Sequence, residues 1–183
     1  IKMGIYNTFG MAKDELQDLL LFYSSKEKHL VTFKEYIKNL KDKQDVIYYA
    51  VGESTDKIDL MPQVEEVKEK GYEILYLTDY ADEFVVQVLQ NYDNKKFLNV
   101  ASSEVNLENE EEKKEVEKLN TESKDLLDKM KDVLKDKVTS VKFTNSLKKH
   151  PVCLTSEGAI STGMEKVLNS MPTNEKVKAS TVL

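Results

Sequence analysis

The sequence predicts an α/β fold, a small three-layer, Rossmann-like α/β/α lobe followed by part of an α+β C-terminal domain. Three apolar stretches, at 45–51, 72–77 and 96–101, have strand character and are separated by segments with helical periodicity. Strands that alternate with helices favour a parallel sheet covered by helices on both faces. Beyond the third strand the composition becomes rich in glutamate. We therefore predict two units, 1–103 and 104–183, and expect the second to be incomplete.

Two short helices are predicted before the first strand. The segment 12–22 repeats apolar residues near one helical face, and the polar run that follows it ends the pattern. Thr32 and Glu35 then match the Thr-x-x-Glu spacing of a capping box, in which each side chain bonds the backbone of the other residue. This spacing predicts a second helix that begins directly after Thr32.

The stretch 45–51 is β-branched and aromatic without polar interruption, which is typical of a central parallel strand buried on both faces. Pro62 suits the first position of the next helix, and Gly71 suits its left-handed C-terminal cap. After the strand at 72–77, a further helix is predicted from about Asp82 to Asn91.

The second unit is predicted to contain one long amphipathic helix and several short elements. The glutamate-rich stretch 104–117 is expected to be an exposed hinge. From about Glu111 to Lys135 the apolar residues form one helical stripe, which includes Ser123. The segments 139–144 and 151–156 have the composition of two short strands.

The composition limits the class of function. Charged residues make up 33% of the chain and the formal net charge is -6, so no basic excess exists to neutralise nucleic-acid phosphates. The single cysteine and the lack of a long apolar run predict a soluble protein of the reducing cytoplasm. We expect neither nucleic acid nor a membrane as a partner. Because the chain begins at Ile1 and stops within an apolar pattern, we also expect a fragment of a longer polypeptide.

Acidic side chains follow the predicted parallel strands. Glu53 and Asp79 would lie at one edge of the sheet, because parallel strands end on the same side. Together with Asp82 they are compatible with the magnesium site of a small cytoplasmic α/β enzyme. Asp82 and Glu83 are equally well placed to cap the helix that they begin, and we give this interpretation more weight. The enzyme is our alternative hypothesis.

Other catalytic or metal-binding patterns are weak. His29, His150 and Cys153 match no zinc-ligand spacing, and no basic motif accompanies the cysteine. Cys153 is predicted to be a buried, small hydrophobic residue. No phosphate-binding glycine motif occurs in the sequence.

The last predicted helix has two interpretations. Its residues Met164, Val167, Leu168 and Met171 recur at i, i+3, i+4 and i+7. Such a stripe most often packs into a domain core. Flexible methionines are also frequent on surfaces that bind varied partners, so an exposed interaction face is the minority interpretation from the pattern alone.

Several segments together resemble the ninety-kilodalton heat-shock chaperone family, most closely its bacterial members. The strongest is TFKEYIKNLKDKQDVIYYAVGES, residues 32–54, which resembles the family block S-L-x-x-Y-x-x-R-M-K-x-x-Q-x-x-I-Y-Y-x-x-G-E-S. The segments EKGYEILYLTDYADEF, NYDNKKF and VTSVKFTNSLKKHPVCLTS follow in the family's order, so the resemblance covers nearly the whole chain. Asn39-Leu40 and Tyr80-Ala81 depart from the usual Arg-Met and Pro-Ile.

The resemblance implies a segment that runs from the end of the middle domain into the C-terminal domain. The parent would be an ATP-dependent, homodimeric chaperone that binds non-native client proteins, with a co-chaperone as a candidate partner. Its ATP- and magnesium-binding domain would precede Ile1 and its dimerisation helices would follow Leu183. We therefore expect no catalytic, cofactor-binding or metal-binding residue in this chain, and a monomeric state for the fragment.

The resemblance also implies a client-binding surface. The positions that match Glu83 and Phe84 carry an acidic and an aromatic residue on the inner face of the dimer cleft. The amphipathic segment that matches the last helix projects apolar side chains into the same cleft, which raises its interaction face above the core interpretation. The client-binding residues predicted in this way are Glu83, Phe84, Gln87, Met164, Val167, Leu168 and Met171.

Overall fold

The structure is a computed structural model of the 183-residue chain. It describes residues 1–8, 10–42, 44–105, 107, 110–145, 147, 150–158, 160–170 and 176–183. The chain forms two compact units, Ile1–Val100 and Ala101–Leu183. Within the described ranges, no helix combines the length and the apolar character needed to cross a membrane.

The described part of the first unit is one six-stranded sheet with its flanking helices. Its helices are α1 (Lys2–Asn7), α2 (Lys13–Leu16), α3 (Phe33–Lys38), α4 (Thr55–Asp59), α5 (Pro62–Glu69) and α6 (Tyr80–Leu89). Its strands are β1 (Phe22–Ser24), β2 (Leu30–Val31), β3 (Val46–Val51), β4 (Leu75–Leu77), β5 (Asn91–Tyr92) and β6 (Lys95–Asn99). A turn of 3-10 helix, Gln17–Leu19, follows α2.

The strand β3 lies at the centre of the sheet, whose order is β2-β1-β4-β3-β6-β5. It pairs in parallel with β4, where Tyr49 lies opposite Leu75, and with β6, where Tyr48 lies opposite Leu98. The strands β1 and β5 pair antiparallel with the outer members of this parallel trio, and β2 lies beyond β1 at the edge. The α/β prediction is confirmed, because the three predicted strands are β3, β4 and β6.

Helices cover both faces of the sheet. Ile47 and Tyr49 face one cluster of buried side chains, which also contains residues of α1, α3 and α6. Neighbouring residues of a strand point to opposite faces, so Ala50 faces the other side. Tyr76, the pairing partner of Ala50, donates a hydrogen bond to Asp59 at the end of α4. The pairing therefore places α4 against the face opposite to α1, α3 and α6.

The buried hydroxyl of Tyr36 links α3 to two strands. It donates to the backbone oxygen of Glu73 at 2.8 Å and accepts from the backbone N–H of Tyr48 at 3.0 Å and the side chain of Gln44 at 3.3 Å. Burial raises the pKa of Tyr36, so the hydroxyl keeps its proton and remains a donor. One side chain thus bonds polar groups of β3, of the segment before β3 and of the segment before β4.

Two local predictions about helix ends are confirmed. Thr32 and Glu35 form the capping box of α3, with the backbone N–H of Glu35 donating to the Thr32 hydroxyl at 3.2 Å. Pro62 is the first residue of α5, and Gly71 has a φ of +74° just beyond its end. A residue with a Cβ would be strained at this positive φ, which explains the glycine.

The second unit contains two helices in succession and a small sheet within its described ranges. Its elements are α7 (Glu110–Glu122), α8 (Lys124–Leu134), β7 (Thr155–Glu157), α9 (Thr162–Ser170) and β8 (Ser180–Val182). The strands β7 and β8 pair antiparallel, with Thr155 opposite Val182. A 3-10 turn, Lys135–Lys137, ends α8.

The helix predicted over 12–22 is wrong in its second half. The chain leaves α2 through the 3-10 turn, and Phe22 begins β1 instead of ending a helix. Phe22 pairs with Val31 and stacks on the ring of Phe33 at 4.9 Å. Pairing between segments that are distant in sequence therefore overrides the local helical spacing.

Two predictions in the second unit are also corrected. The long helix is interrupted at Ser123, whose ψ of +13° departs from the helical value. The segment 139–144 forms no strand, although Ser140 makes an isolated bridge to Val182. The side chain of Asn120 instead bonds both the N–H and the oxygen of Phe143, at 2.9 and 3.2 Å. The backbone of 139–142 bonds that of 181–183 at only a few positions, and Asn120 holds the rest of the segment.

The predicted hinge is partly helical. The predicted second strand is mostly irregular. Helix α7 begins at Glu110, so most of 104–117 is helical where the structure describes it. Of the segment 151–156, only Thr155 and Ser156 belong to β7. Cys153 lies before the strand and is half-buried, not buried as predicted.

We predict that Tyr36→Phe lowers the free energy of unfolding by about 1–3 kcal/mol, because buried polar groups lose their partner. Urea denaturation followed by circular dichroism measures this change. The matched control is Tyr23→Phe, since Tyr23 stacks on Tyr76 and its hydroxyl bonds no described residue. An equal loss in both variants would contradict the role assigned to the Tyr36 hydroxyl.

A buried carboxyl makes stability depend on pH. The hydroxyl of Ser24 donates to Glu73 Oε1 at 2.5 Å, while Glu73 Oε2 has no hydrogen-bond partner among the described residues. Burial raises the pKa of Glu73 above its ordinary value of 4.5. Folding therefore favours the protonated form, and this stabilisation is complete below pH 4.5 and lost as pH rises through the folded-state pKa.

We therefore predict that Glu73→Gln gains stability relative to the wild type as pH rises from mildly acidic to neutral. Urea midpoints measured across this range test the change. Glu69→Gln, which alters an exposed carboxylate in α5, is the control and should show no such trend. A constant difference between Glu73→Gln and the wild type at every pH would be the contrary result.

Candidate functional site

Helix α6 carries three of the predicted client-binding residues, and its first turn is fixed by a capping box. Asp79 accepts a hydrogen bond from the backbone N–H of Ala81 at 3.1 Å. The carboxylate of Asp82 accepts from the backbone N–H of Asp79 at 3.2 Å. Acidic groups at this end also interact favourably with the helix dipole. The capping interpretation of Asp82 is thus confirmed.

Asp82 also anchors α1 to α6. The other carboxylate oxygen of Asp82, Oδ1, lies 2.5 Å from the ammonium of Lys2, and only 2% of the residue's surface is exposed. Burial raises the pKa of Asp82, while the hydrogen bond and charge of Lys2 lower it. The same ammonium lies 4.8 Å from the ring centroid of Phe22. The start of α6 is therefore tied to the first helix and to the core.

Glu83 points into the molecule instead of standing at its surface. The residue is 3% exposed, and its Oε1 accepts a hydrogen bond from Asn99 at the end of β6 at 3.2 Å. Burial, followed by the charge of Glu83, raises the pKa of Tyr49. Glu83 therefore positions α6 against β3 and β6. Its direct contact with a client remains a prediction.

Phe84 is partly exposed next to a second aromatic ring. The ring of Tyr6 in α1 meets it edge to face, with centroids 5.5 Å apart and an interplanar angle of 62°. Gln87, one turn later, is also partly exposed. The neighbouring Val85 and Val86 are buried and hold the helix to the core. The backbone thus directs Phe84 and Gln87 away from the sheet.

In the second unit, α9 is held to the strand segment that follows it. The backbone N–H of Ala179 donates to the carboxylate of Glu165 at 3.1 Å. The side chain of Asn169 bonds both backbone groups of Val177, at 2.8 and 2.9 Å. These bonds fix which face of α9 packs inward.

The predicted residues of α9 differ in burial. Met164 is 5% exposed, as the core interpretation expects, whereas Val167 and Leu168 are only partly buried. Met171 lies outside the described residues. A client contact at Val167 or Leu168 is compatible with their partial exposure, and one at Met164 would require the helix to move.

The acidic residues of the enzyme hypothesis have structural partners. The carboxylate of Glu53 pairs with Lys57 one helical turn later, and Asp79 caps α6. In the described ranges, no group of three or more His, Cys, Asp and Glu side chains is placed to hold a metal ion. The acidic side chains Glu53 and Asp79 thus make non-covalent contacts within the protein.

Three residues at this site have no sequence signal. Lys2 and Tyr6 reach α6 from α1, far away in the chain, and Asn99 reaches it from β6. The local sequence around each of them does not indicate a contact with α6. Their roles follow only from tertiary contacts.

Comparison with known proteins gives a consistent result. The family model described as Hsp90 protein matches residues 1–182. The chain is 53% identical to the chaperone protein HtpG of Alkaliphilus oremlandii over all 183 residues. It is 51% identical to HtpG of Clostridium perfringens and 48% identical to HtpG of Bacillus subtilis over the same length. The chain spans 29% of the length of each of these relatives.

A solved structure supports the fold of about half of the chain. The middle domain of a putative heat shock protein of Plasmodium falciparum superposes with a TM-score of 0.50 and 28% sequence identity. The match covers 54% of this chain and 42% of that structure. The family match over nearly every residue and the relatives of about half identity agree with each other. The chain belongs to the Hsp90 protein family of chaperones.

Proposed function

We propose that this chain supplies a client-binding surface and interdomain coupling to an ATP-dependent chaperone that binds and remodels non-native proteins. The observation that carries the proposal is the partly exposed ring of Phe84 on a helix whose acidic residues are buried. An aromatic side chain held at the surface by a rigid helix offers a large apolar contact at little entropic cost. Exposed segments of a non-native protein are rich in such apolar groups.

The support around Phe84 is rigid. Asp82 and Glu83 fix the first turn through Lys2 and Asn99, and the two valines that follow Phe84 are buried. A preorganised surface loses little conformational entropy on binding, so its contacts contribute more fully to affinity. Glu83 acts in this proposal as a positioning residue beneath the contact made by Phe84 and Gln87.

Val167 and Leu168 provide a separate proposed client contact within the second unit. Both are partly buried on α9, whose inner side is fixed by Glu165 and Asn169. Many weak apolar contacts on separate elements suit clients of varied sequence better than one deep pocket does.

Other features of the whole protein enter as part of the proposal. The chain has two compact units, which suits a segment that transmits movement between neighbouring domains. ATP and magnesium would be bound elsewhere in the polypeptide, and the whole protein would act as a cytoplasmic homodimer with a candidate co-chaperone. The similarity to HtpG chaperones supports the chaperone role of the whole protein.

We predict that Phe84→Ala weakens client binding about 5- to 30-fold, as expected for loss of a central aromatic contact worth roughly 1–2 kcal/mol. Fluorescence anisotropy with reduced, carboxymethylated α-lactalbumin, a permanently unfolded protein, measures the affinity. Leu60→Ala removes a side chain that is 79% exposed at the end of α4 and serves as the control. Unchanged affinity in a folded Phe84→Ala protein would refute the site.

A second pair of variants separates packing from binding on α9. We predict that Met164→Ala lowers the free energy of unfolding by about 2–4 kcal/mol, because a buried side chain leaves a cavity. Leu168→Ala, at a partly buried position, should lose less stability and weaken binding to the same unfolded protein. Urea denaturation and anisotropy together test this division. Leu168→Ala with normal binding and a large loss of stability would show that this face is only core.

A further inference from the structure

The distribution of charge on α6 is unusual for a surface helix. Its two acidic residues, Asp82 and Glu83, are 2% and 3% exposed. The described side chains of α6 that are partly exposed are all uncharged, and they are Ala81, Phe84, Gln87 and Val88. Surface helices ordinarily keep their charged residues outside. The outer side of α6 is therefore an uncharged surface on a chain in which 33% of residues are charged.

Helix α1 extends this uncharged surface. Met3 and Tyr6, at i and i+3, are 54% and 36% exposed, while Ile5 is fully buried against the core. Lys2 is the one charged residue of α1, and its ammonium pairs with the carboxylate of Asp82. The ring of Tyr6 contacts the ring of Phe84. The two helices thus present their exposed apolar side chains next to each other.

The segment after α1 continues along the second half of α6. Gly10 approaches α6 so closely that a Cβ there would lie 2.8 Å from Cγ1 of Val88. Met11 follows directly and is strongly exposed. We name the set Met3, Tyr6, Met11, Phe84 and Val88 the α1–α6 patch. Two of its members are methionines, whose flexible side chains adapt to partners of different shape.

We propose that the α1–α6 patch binds a short, uncharged apolar segment of a non-native polypeptide, with α1 supplying half of the contact surface. This inference rests on the proposed function and adds α1 to the client site. The inference also states that the bound segment is uncharged. A charged side chain entering the patch would lose hydration without gaining a partner, because the acidic groups beneath it already bond Lys2 and Asn99.

The ion pair between Lys2 and Asp82 holds α1 against α6 and so keeps α1 in the site. The ion pair of Lys2 with Asp82 is largely buried, and removing one partner of such a pair leaves an uncompensated charge. Tyr6, which is also in α1, packs its ring on the ring of Phe84 in α6. An occupant therefore meets both helices as one preformed surface.

The experiment uses the 183-residue chain and a short, terminally capped peptide of Ser, Gln, Phe and Leu that carries a fluorophore. Two companion peptides replace every Gln by Glu or by Lys. Anisotropy gives the affinity of each peptide for the wild type and for Tyr6→Ala, Met3→Ser, Phe84→Ala and the control Leu60→Ala. Circular dichroism checks folding, and Met3→Ser tests the same half of the patch where Tyr6→Ala is unstable.

We expect Tyr6→Ala and Met3→Ser to weaken binding of the uncharged peptide about 3- to 10-fold, and Leu60→Ala to leave it unchanged. Both charged peptides should bind about 10-fold more weakly, and the affinity of the uncharged peptide should not fall with added salt. Equal binding of the charged peptides would overturn the assigned chemistry.

The outcomes also distinguish this inference from the function on which it rests. Normal binding by folded Tyr6→Ala and Met3→Ser, together with weak binding by Phe84→Ala, would overturn the role of α1 and keep the client site on α6. Normal binding by all three variants would overturn both.

Discussion

Burial of Asp82 and Glu83 at the start of α6 is the constraint on which the described site depends. A buried carboxylate is costly unless it is paired, and here Lys2 and Asn99 supply the partners. These partners come from α1 and β6, so satisfying the two acids brings both elements to α6. The same arrangement turns Phe84 outward. The polar groups beneath the helix thereby determine the apolar surface above it.

The scaffold under this site is a parallel trio of strands with β3 at its centre. Because β3 is covered on both faces, its side chains are nearly all apolar, and the polar backbone near its start needs partners from elsewhere. Tyr36 provides one of them through a hydroxyl that contacts three segments. Helix α6 packs on the same side of the sheet as α3, so the sheet also holds α6 in place.

Membership of the Hsp90 family fits the physical character of the described residues. At the start of α6, Asp79 and Asp82 serve as caps and Asp82 also forms an ion pair, while partly exposed apolar side chains remain at Phe84 in the first unit and at Val167 and Leu168 in the second. Such surfaces suit adaptable, non-covalent contact with polypeptides. The burial of Met164 gives α9 a firm inner side, so its outer side is free to take a different role.

The sequence by itself determined the local features, because their causes lie within a few residues. The Thr32–Glu35 capping box, Pro62 at a helix start and Gly71 at a left-handed cap all follow from short-range sterics and hydrogen bonds. The uninterrupted apolar run of β3 likewise predicted a buried central strand.

The tertiary structure decided what depends on partners distant in sequence. Phe22 became a strand residue because it pairs with Val31, and Glu83 became buried because Asn99 lies beneath it. Tyr6 and Phe84, which are in contact, are separated along the chain by most of the first unit. Local spacing carries no information about which distant groups meet, since this is set by sheet order and packing. Burial, and with it the choice between core and surface, therefore required the folded chain.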